Sequence, residues 1–155
     1  MPWRSPDFFV LLQIKMIEIR KYNIKDEDSV IQLWNDCELI VPWNNPHLDI
    51  QRKLEIQPEM FLVGCLSGKI VATVMAGYEG HRGWINYLAI HPEHRRKGIG
   101  KRIMMEAETL LRAVGCPKTN LQVRTTNSDV ISFYKAIGYK IDDVVSLGKR
   151  LEIDT

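Results

Sequence analysis

The stretch that decides the fold runs from Trp84 to Arg102 and reads WINYLAIHPEHRRKGIGKR. Its first part alternates between two faces, as a strand does: Trp84, Asn86, Leu88 and Ile90 against Ile85, Tyr87 and Ala89. A turn at His91-Pro92 follows, and a basic loop with two glycines then leads into an amphipathic helix. The stretch therefore predicts a strand, a tight turn and a helix N-terminus in immediate succession.

This order predicts an anion-binding site. The first main-chain N–H groups of a helix lack partners within it and carry the positive end of its dipole, an arrangement that suits phosphate. Glycine lets a main chain approach a ligand closely. The candidate phosphate-binding residues are Arg95, Arg96, Lys97, Gly98, Ile99, Gly100 and Lys101. The loop lacks the Gly-x(4)-Gly-Lys-Ser/Thr spacing of nucleotide-binding loops and the three glycines of a dinucleotide site, which argues against both classes.

Length, composition and net charge limit the classes of protein to which this chain can belong. A chain of 155 residues, 45% hydrophobic and 26% charged, fits one domain. A net charge of +2 does not suggest a general nucleic-acid-binding protein. The three cysteines show no paired spacing, which favours a reducing, cytoplasmic setting. No apolar run approaches the ~20 residues that a membrane span needs.

The N-terminal residues have the pattern of an extension that precedes the domain. Residues 1–15 include a short apolar run without a cleavage site, so a signal peptide is not expected. We interpret residues 1–15 as an extension, either a disordered arm or an extra segment, and residues 16–155 as a single domain.

Residue patterns predict the remaining elements. A first strand near residues 17–20 precedes a helix that Asp26 caps, and a second helix is expected at about 48–57. Strands at 60–66 and 70–78 form a hairpin. After the helix that begins near residue 99, the pattern predicts a strand at 120–124, a short helix capped by Asn127 or Ser128, and a last strand from Tyr139 onward.

Two motifs resemble those of the GNAT superfamily of N-acyltransferases. Arg95-x-x-Gly98-x-Gly100 matches its acyl-CoA signature. Asn127 with Phe133-Tyr134-x-x-x-Gly138-Tyr139 is similar to its Asn-x(6)-Tyr-x-x-x-Gly-Phe/Tyr pattern. The predicted order of elements is also the order of that superfamily. The resemblance covers residues 16–150 and is strongest to small bacterial members whose acceptor is poorly defined.

The resemblance implies an α/β (α+β) fold with a mixed, mostly antiparallel central sheet and helices on both faces. The sheet splays between the strands at 84–90 and 120–124, and the donor's pantetheine arm pairs with Leu88, Ala89 and Ile90. The implied reaction is transfer of an acetyl group from acetyl-CoA to a primary amine of a small molecule, protein or peptide, by direct attack in a ternary complex. A monomer or a homodimer is expected, with neither nucleic acid nor membrane as a partner.

Tyr134 is the candidate general acid. Its ordinary pKa of about 10 keeps it protonated at neutral pH, above the value of about 8.5 for a thiol. The resemblance assigns the same role to this position. Asn127 binds the donor arm or caps its helix, and the two roles are compatible.

The sequence offers more than one candidate for the general base. Ribosomal-protein N-terminal acetyltransferases of this superfamily carry Glu where this chain has Gln122, and an amide accepts no proton in the useful range. The alternatives are Glu79, His81 or a chain of water molecules. Asp36 and Trp43 are candidates for contact with the acceptor, as are Glu38 and His47. A non-catalytic acyl-CoA-binding sensor or regulatory module with the same fold is the alternative function.

Overall fold

A five-stranded sheet forms the centre of the computed structural model, which describes residues 5–154, apart from the side chains of residues 13–15. The strands follow one another across the sheet in chain order: β1 (Glu18–Lys21), β2 (Phe61–Leu66), β3 (Lys69–Tyr78), β4 (Gly83–Ile90) and β5 (Thr119–Leu121). Neighbours are antiparallel except β4 and β5, which run parallel. The predicted mixed, mostly antiparallel sheet is confirmed.

In the described part of the chain, five α-helices accompany the sheet: α1 (Pro6–Met16), α2 (Glu27–Asp36), α3 (Pro46–Glu55), α4 (Ile99–Ala113) and α5 (Ser128–Ala136). Asn45 caps the N-terminus of α3, since its side chain accepts the N–H groups of His47 and Leu48.

Most of the proposed N-terminal extension is helical, because α1 begins at Pro6, while residues 1–4 lie outside the described residues. Within residues 5–154, no helix has the length and apolar character needed to cross a membrane.

The sheet is covered on both faces, as predicted. On one face α4 and α5 contribute Ile103, Met104 and Tyr134 to a buried cluster. On the other face Trp34 of α2 and Ile50 of α3 pack with strand residues in a second cluster. Burial of these apolar side chains stabilises the fold by ~25 cal/mol per Å².

A bulge interrupts β4, so the prediction of strict alternation along this strand is wrong. The register with β3 shifts, with Thr73 opposite Ala89 but Met75 opposite Asn86. Tyr87 takes a left-handed φ of 51°, a conformation that a bulky side chain rarely adopts. As a result Tyr87 packs against the cluster of α2 and α3, while Leu88 packs against the cluster of α4 and α5.

Buried polar contacts hold the bulge. The Tyr87 ring stacks on Trp34 with centroids 3.9 Å apart. The Thr73 hydroxyl donates to the Tyr87 carbonyl and accepts the Trp34 indole N–H, both at 2.9 Å. The strained φ at Tyr87 is therefore fixed by its surroundings.

Thr73→Val is expected to destabilise the protein by ~2 kcal/mol, because the substitution leaves the Trp34 N–H and the Tyr87 carbonyl buried without partners. Thermal unfolding measures the effect. Thr109→Val is the matched control, since the exposed Thr109 hydroxyl donates only to a carbonyl of its own helix. Equal melting temperatures for the two variants would contradict the assignment.

The predicted last strand is wrong. Residues 139–154 contain no strand, and six large apolar side chains in this segment are exposed: Ile141, Val144, Val145, Leu147, Leu151 and Ile153. β5 is also shorter than expected, ending at Leu121 rather than near residue 124. Period-two alternation favours a strand only when a neighbouring strand is available for pairing, and β5 pairs with β4 alone in the described sheet.

Candidate active site

A cleft opens between β4 and the chain that follows β5, at the point where the pairing of the two strands stops. The two strands pair at Gly83–Thr119, Trp84–Asn120 and Ile85–Leu121, and the pairing stops there. β4 continues to Ile90 while still paired with β3. Residues 86–90 therefore have one main-chain edge without a strand partner, and the predicted donor contacts Leu88, Ala89 and Ile90 all lie on this open part. The expected splay of the sheet is confirmed.

The basic loop lies at the open end of this cleft because it directly follows Ile90. A 3₁₀ turn at Pro92–His94 leads to Arg96 and Gly98, whose φ angles are 62° and 82°. Helix α4 then begins at Ile99 without a side-chain cap on its first N–H groups. Four cationic residues lie in the loop and the first turn of the helix: Arg95, Arg96, Lys97 and Lys101. The strand edge and the uncapped helix end thus adjoin, as an extended ligand with phosphates at one end requires.

The Arg95 side chain links the loop to the end of β4. Its Nε donates to the Ile90 carbonyl at 3.1 Å, and the Cys37 thiol donates to the same oxygen at 3.3 Å. Burial raises the pKa of Cys37, so this thiol is a structural donor rather than a nucleophile. Asp36, a predicted acceptor contact, lies beside the loop, with its carboxylate 3.6 Å from Nε2 of His91.

Gly100 has a structural role that the motif alone did not reveal. A Cβ at this position would lie 3.0 Å from the Phe133 ring of α5. The absent side chain therefore lets α4 pack closely against α5, in addition to any access that it gives a ligand. Gly98, by contrast, is required for its left-handed φ.

Tyr134 lies in α5 and is only 8% exposed. Burial raises the pKa of its phenol to about 12, so the proton is retained at physiological pH. Within residues 5–154 the hydroxyl has no hydrogen-bond partner, which leaves it available to a ligand. The Asn127 side chain accepts the Val130 N–H at 3.4 Å and so caps α5, one of its two predicted roles.

The α3 side of the sheet presents a different set of groups. Trp43 is half exposed, and the Arg124 guanidinium lies 5.7 Å from its ring centroid. The Asp49 carboxylate accepts a hydrogen bond from the Tyr87 hydroxyl at 2.6 Å. Sequence reasoning missed Asp49, because an acid in the first turn of a helix is ordinary and gave no signal.

Glu79 and His81 lie in the turn between β3 and β4, where the Glu79 carboxylate accepts the N–H groups of His81 and Arg82. This turn adjoins the end of β4 that is paired with β5. Leu88 is five steps along the strand from Gly83, a distance of ~16 Å. The structure does not bring these two side chains to the open part of the cleft.

Comparison with known proteins finds a matching family model and relatives that are named acetyltransferases. The family model described as the acetyltransferase (GNAT) family matches residues 27–139. An acetyltransferase of Yersinia enterocolitica is 46% identical over 138 residues, which cover 89% of this chain and 98% of that protein. One from Pectobacterium atrosepticum is 46% identical over 135 residues, 87% of this chain and 96% of its own.

The crystal structure of the PaiA N-acetyltransferase from Thermoplasma acidophilum in complex with coenzyme A is similar in fold. It superposes with a TM-score of 0.68 at 22% identity, over 83% of this chain and 92% of that one.

Proposed function

This chain belongs to the acetyltransferase (GNAT) family, and from that premise we propose that it transfers an acetyl group from acetyl-CoA to a primary amine of a small molecule, protein or peptide. Family membership makes it an acyltransferase. Direct attack of the amine in a ternary complex is the proposed mechanism. The observation that carries the proposal is the open main-chain edge of β4, which ends at the uncapped, cationic N-terminus of α4.

The chemical fit to acetyl-CoA supports this donor. Phosphates suit the free N–H groups of α4 and the cations of the loop, where the left-handed Gly98 leaves the main chain uncovered. The pantetheine arm carries amides, which match the unpaired edge of residues 86–90. A main-chain N–H on this edge can also stabilise the oxyanion that forms as the amine attacks, a contribution of ~3 kcal/mol in other enzymes.

Tyr134 is the proposed general acid. Attack on the thioester breaks the carbon–sulfur bond and leaves a thiolate, which needs a proton. The Tyr134 phenol holds its proton, because burial raises its pKa to about 12, and its hydroxyl is not committed to another described residue. These properties also favour an enzyme over a module that only binds acyl-CoA, since binding alone needs no proton donor.

We place the acceptor amine on the α3 side of the cleft, near Asp49. This carboxylate adjoins the open part of β4 through its 2.6 Å hydrogen bond with Tyr87, and it is partly exposed. An ammonium group is therefore attracted to the site before it loses a proton. Water at the open mouth of the cleft then takes that proton. Glu79 and His81 are less favourable candidates, because they lie at the paired end of β4.

Asp49→Asn is expected to raise KM for the amine by ~10-fold, with a smaller change in kcat, because the amide keeps the shape but removes the charge. Steady-state kinetics at saturating acetyl-CoA measures the effect. Asp28→Asn, at an exposed position of α2, is the control and should leave KM unchanged. A loss of acetyl-CoA affinity in Asp49→Asn would show that the residue does not act on the acceptor.

The proposed function is tested by measuring free thiol released from acetyl-CoA across a panel of small amines, amino acids and peptides. Turnover with at least one acceptor, together with acetylated product by mass spectrometry, supports it. Tight binding of acetyl-CoA without turnover on any acceptor would instead favour the non-catalytic acyl-CoA-binding module.

A further inference from the structure

The 3₁₀ turn between β4 and α4 brings two imidazoles and a carboxylate together. His91 caps the turn Pro92–His94, so its two histidines are three residues apart. Side chains with this spacing lie on the same side of a 3₁₀ helix, and the ring centroids of His91 and His94 are 5.9 Å apart. His91, Glu93 and His94 each offer one ligand atom, and the three atoms lie within 4.8 Å of one another. None of these residues belongs to the proposed donor or acceptor contacts.

The His94 ring has a nitrogen without a partner. Its Nδ1 is buried and makes no hydrogen bond with any group of the described residues. Buried polar atoms in folded proteins are almost always paired, so an unpaired one needs an explanation. An imidazole nitrogen with a free lone pair is the commonest metal ligand in proteins. A metal ion held between His94 and its two neighbours would give this nitrogen its partner.

Asp36 prepares His91 for the same role. Its carboxylate lies 3.6 Å from Nε2 of His91, which favours a proton on that nitrogen. The lone pair is then on Nδ1, which accepts the Glu93 N–H at 3.2 Å, a long hydrogen bond that a metal can replace. Histidines that bind metals almost always donate their second N–H to a carboxylate, a carbonyl or water. Asp36 supplies that carboxylate to His91.

We propose that His91, Glu93 and His94 bind a zinc ion, and that Asp36 orients His91. Two imidazoles and one carboxylate form a donor set that zinc uses in proteins, with a fourth position open to water. Tetrahedral zinc holds its ligand atoms ~3.3 Å apart. The present spacing, at most 4.8 Å, closes by rotation of side chains, of which Glu93 is exposed. The charges of Glu93 and Asp36 balance the two charges of the ion beside the cationic loop.

The ion would join the sheet to the basic loop. His91 is fixed to the sheet, because it follows the last residue of β4 and its N–H donates to the Val71 carbonyl of β3 at 2.8 Å. Glu93 and His94 belong instead to the turn that leads to Arg95. A bound ion therefore fastens the start of the loop to the end of β4. The proposal is independent of acetyl transfer, because zinc binding is measured without acetyl-CoA or an amine.

Isothermal titration calorimetry of the full chain with Zn²⁺, after removal of metal by a chelator, tests the site. The native chain should bind one ion per molecule at this site. The double variant His91→Ala with His94→Ala should lose at least ~100-fold in affinity, because two of three ligands are gone. Asp36→Asn should lose ~10-fold, as expected when an orienting carboxylate is removed. His47→Ala with His81→Ala removes the other two of the four histidines and is the control, which should keep the native affinity.

Glu93→Gln keeps the test valid if the double histidine variant fails to fold. Glu93 is exposed, so the melting temperature without metal should be unchanged, while zinc affinity should fall by ~10-fold or more because an amide is a poorer ligand. The absorption spectrum with Co²⁺ identifies the ligands, and a thiolate charge-transfer band would overturn the proposal by showing that a cysteine binds the ion. Failure of the native chain to bind Zn²⁺, or native affinity in the His91 and His94 double variant, would also overturn it.

Discussion

Tyr134→Phe is expected to lower kcat by ~10²-fold or more, with little change in KM for acetyl-CoA, because it removes one proton donor and keeps the ring. The phenol is 8% exposed, and burial raises its pKa to about 12, so it stays protonated throughout the pH range of an assay. The thiolate leaving group then lacks its proton source in the variant. Steady-state kinetics with any accepted amine measures the change.

Tyr78→Phe is the matched control for this experiment. Its hydroxyl donates to the Gly80 carbonyl at the end of the hairpin, away from the open cleft, so kcat should be unaffected. The melting temperature of the Tyr134 variant should match that of the native protein, since the lost hydroxyl has no partner among residues 5–154. An unchanged kcat in Tyr134→Phe would remove the general-acid assignment.

Gly98→Val is expected to weaken acetyl-CoA binding by ~100-fold or more. Two effects act together: the left-handed φ of 82° strains a β-branched residue by ~1–2 kcal/mol, and the new side chain covers the main chain at the start of α4. Only the covering of the main chain by the new side chain is specific to acetyl-CoA binding. Isothermal titration calorimetry with acetyl-CoA measures the affinity.

Gly68→Val separates these two effects. Gly68 has a φ of 78° in the β2–β3 hairpin, and a Cβ added there would meet no atom within 4 Å, so this variant carries the same backbone strain far from the loop. Both variants should lose comparable thermal stability, and only Gly98→Val should lose affinity. Equal affinity for acetyl-CoA in both would show that the donor does not use this main chain.

The sequence predicted the structure best where the pattern of neighbouring residues agrees with the packing that the whole fold requires. The hairpin of β2 and β3 has apolar strands around Ser67-Gly68, and its bounds match the prediction within one residue. The loop between β4 and α4 was likewise placed correctly, since Gly98 directly precedes the first residue of the helix; phosphate binding by this loop stays a prediction. In both cases the residues that determine the structure are neighbours in sequence.

Features that depend on distant partners could not be predicted. The bulge at Tyr87 needs Thr73 and Trp34, which approach only after β3, β4 and α2 have assembled. Asp49 became a candidate only when α3 placed it beside Tyr87. The strand expected from Tyr139 failed for the same reason, because alternation along 140–147 does not supply a neighbour.

The contact between Gly100 and Phe133 joins the two ends of the proposed donor-binding surface. Gly100 is the second residue of α4, whose N-terminus is the proposed phosphate site, and Phe133 precedes the proposed acid in α5. Because Gly100 has no side chain to separate the helices, direct packing of α4 against α5 sets the distance between these two proposed groups. If the donor binds as proposed, this fixed distance determines whether its thioester lies beside the acid when its phosphates are bound.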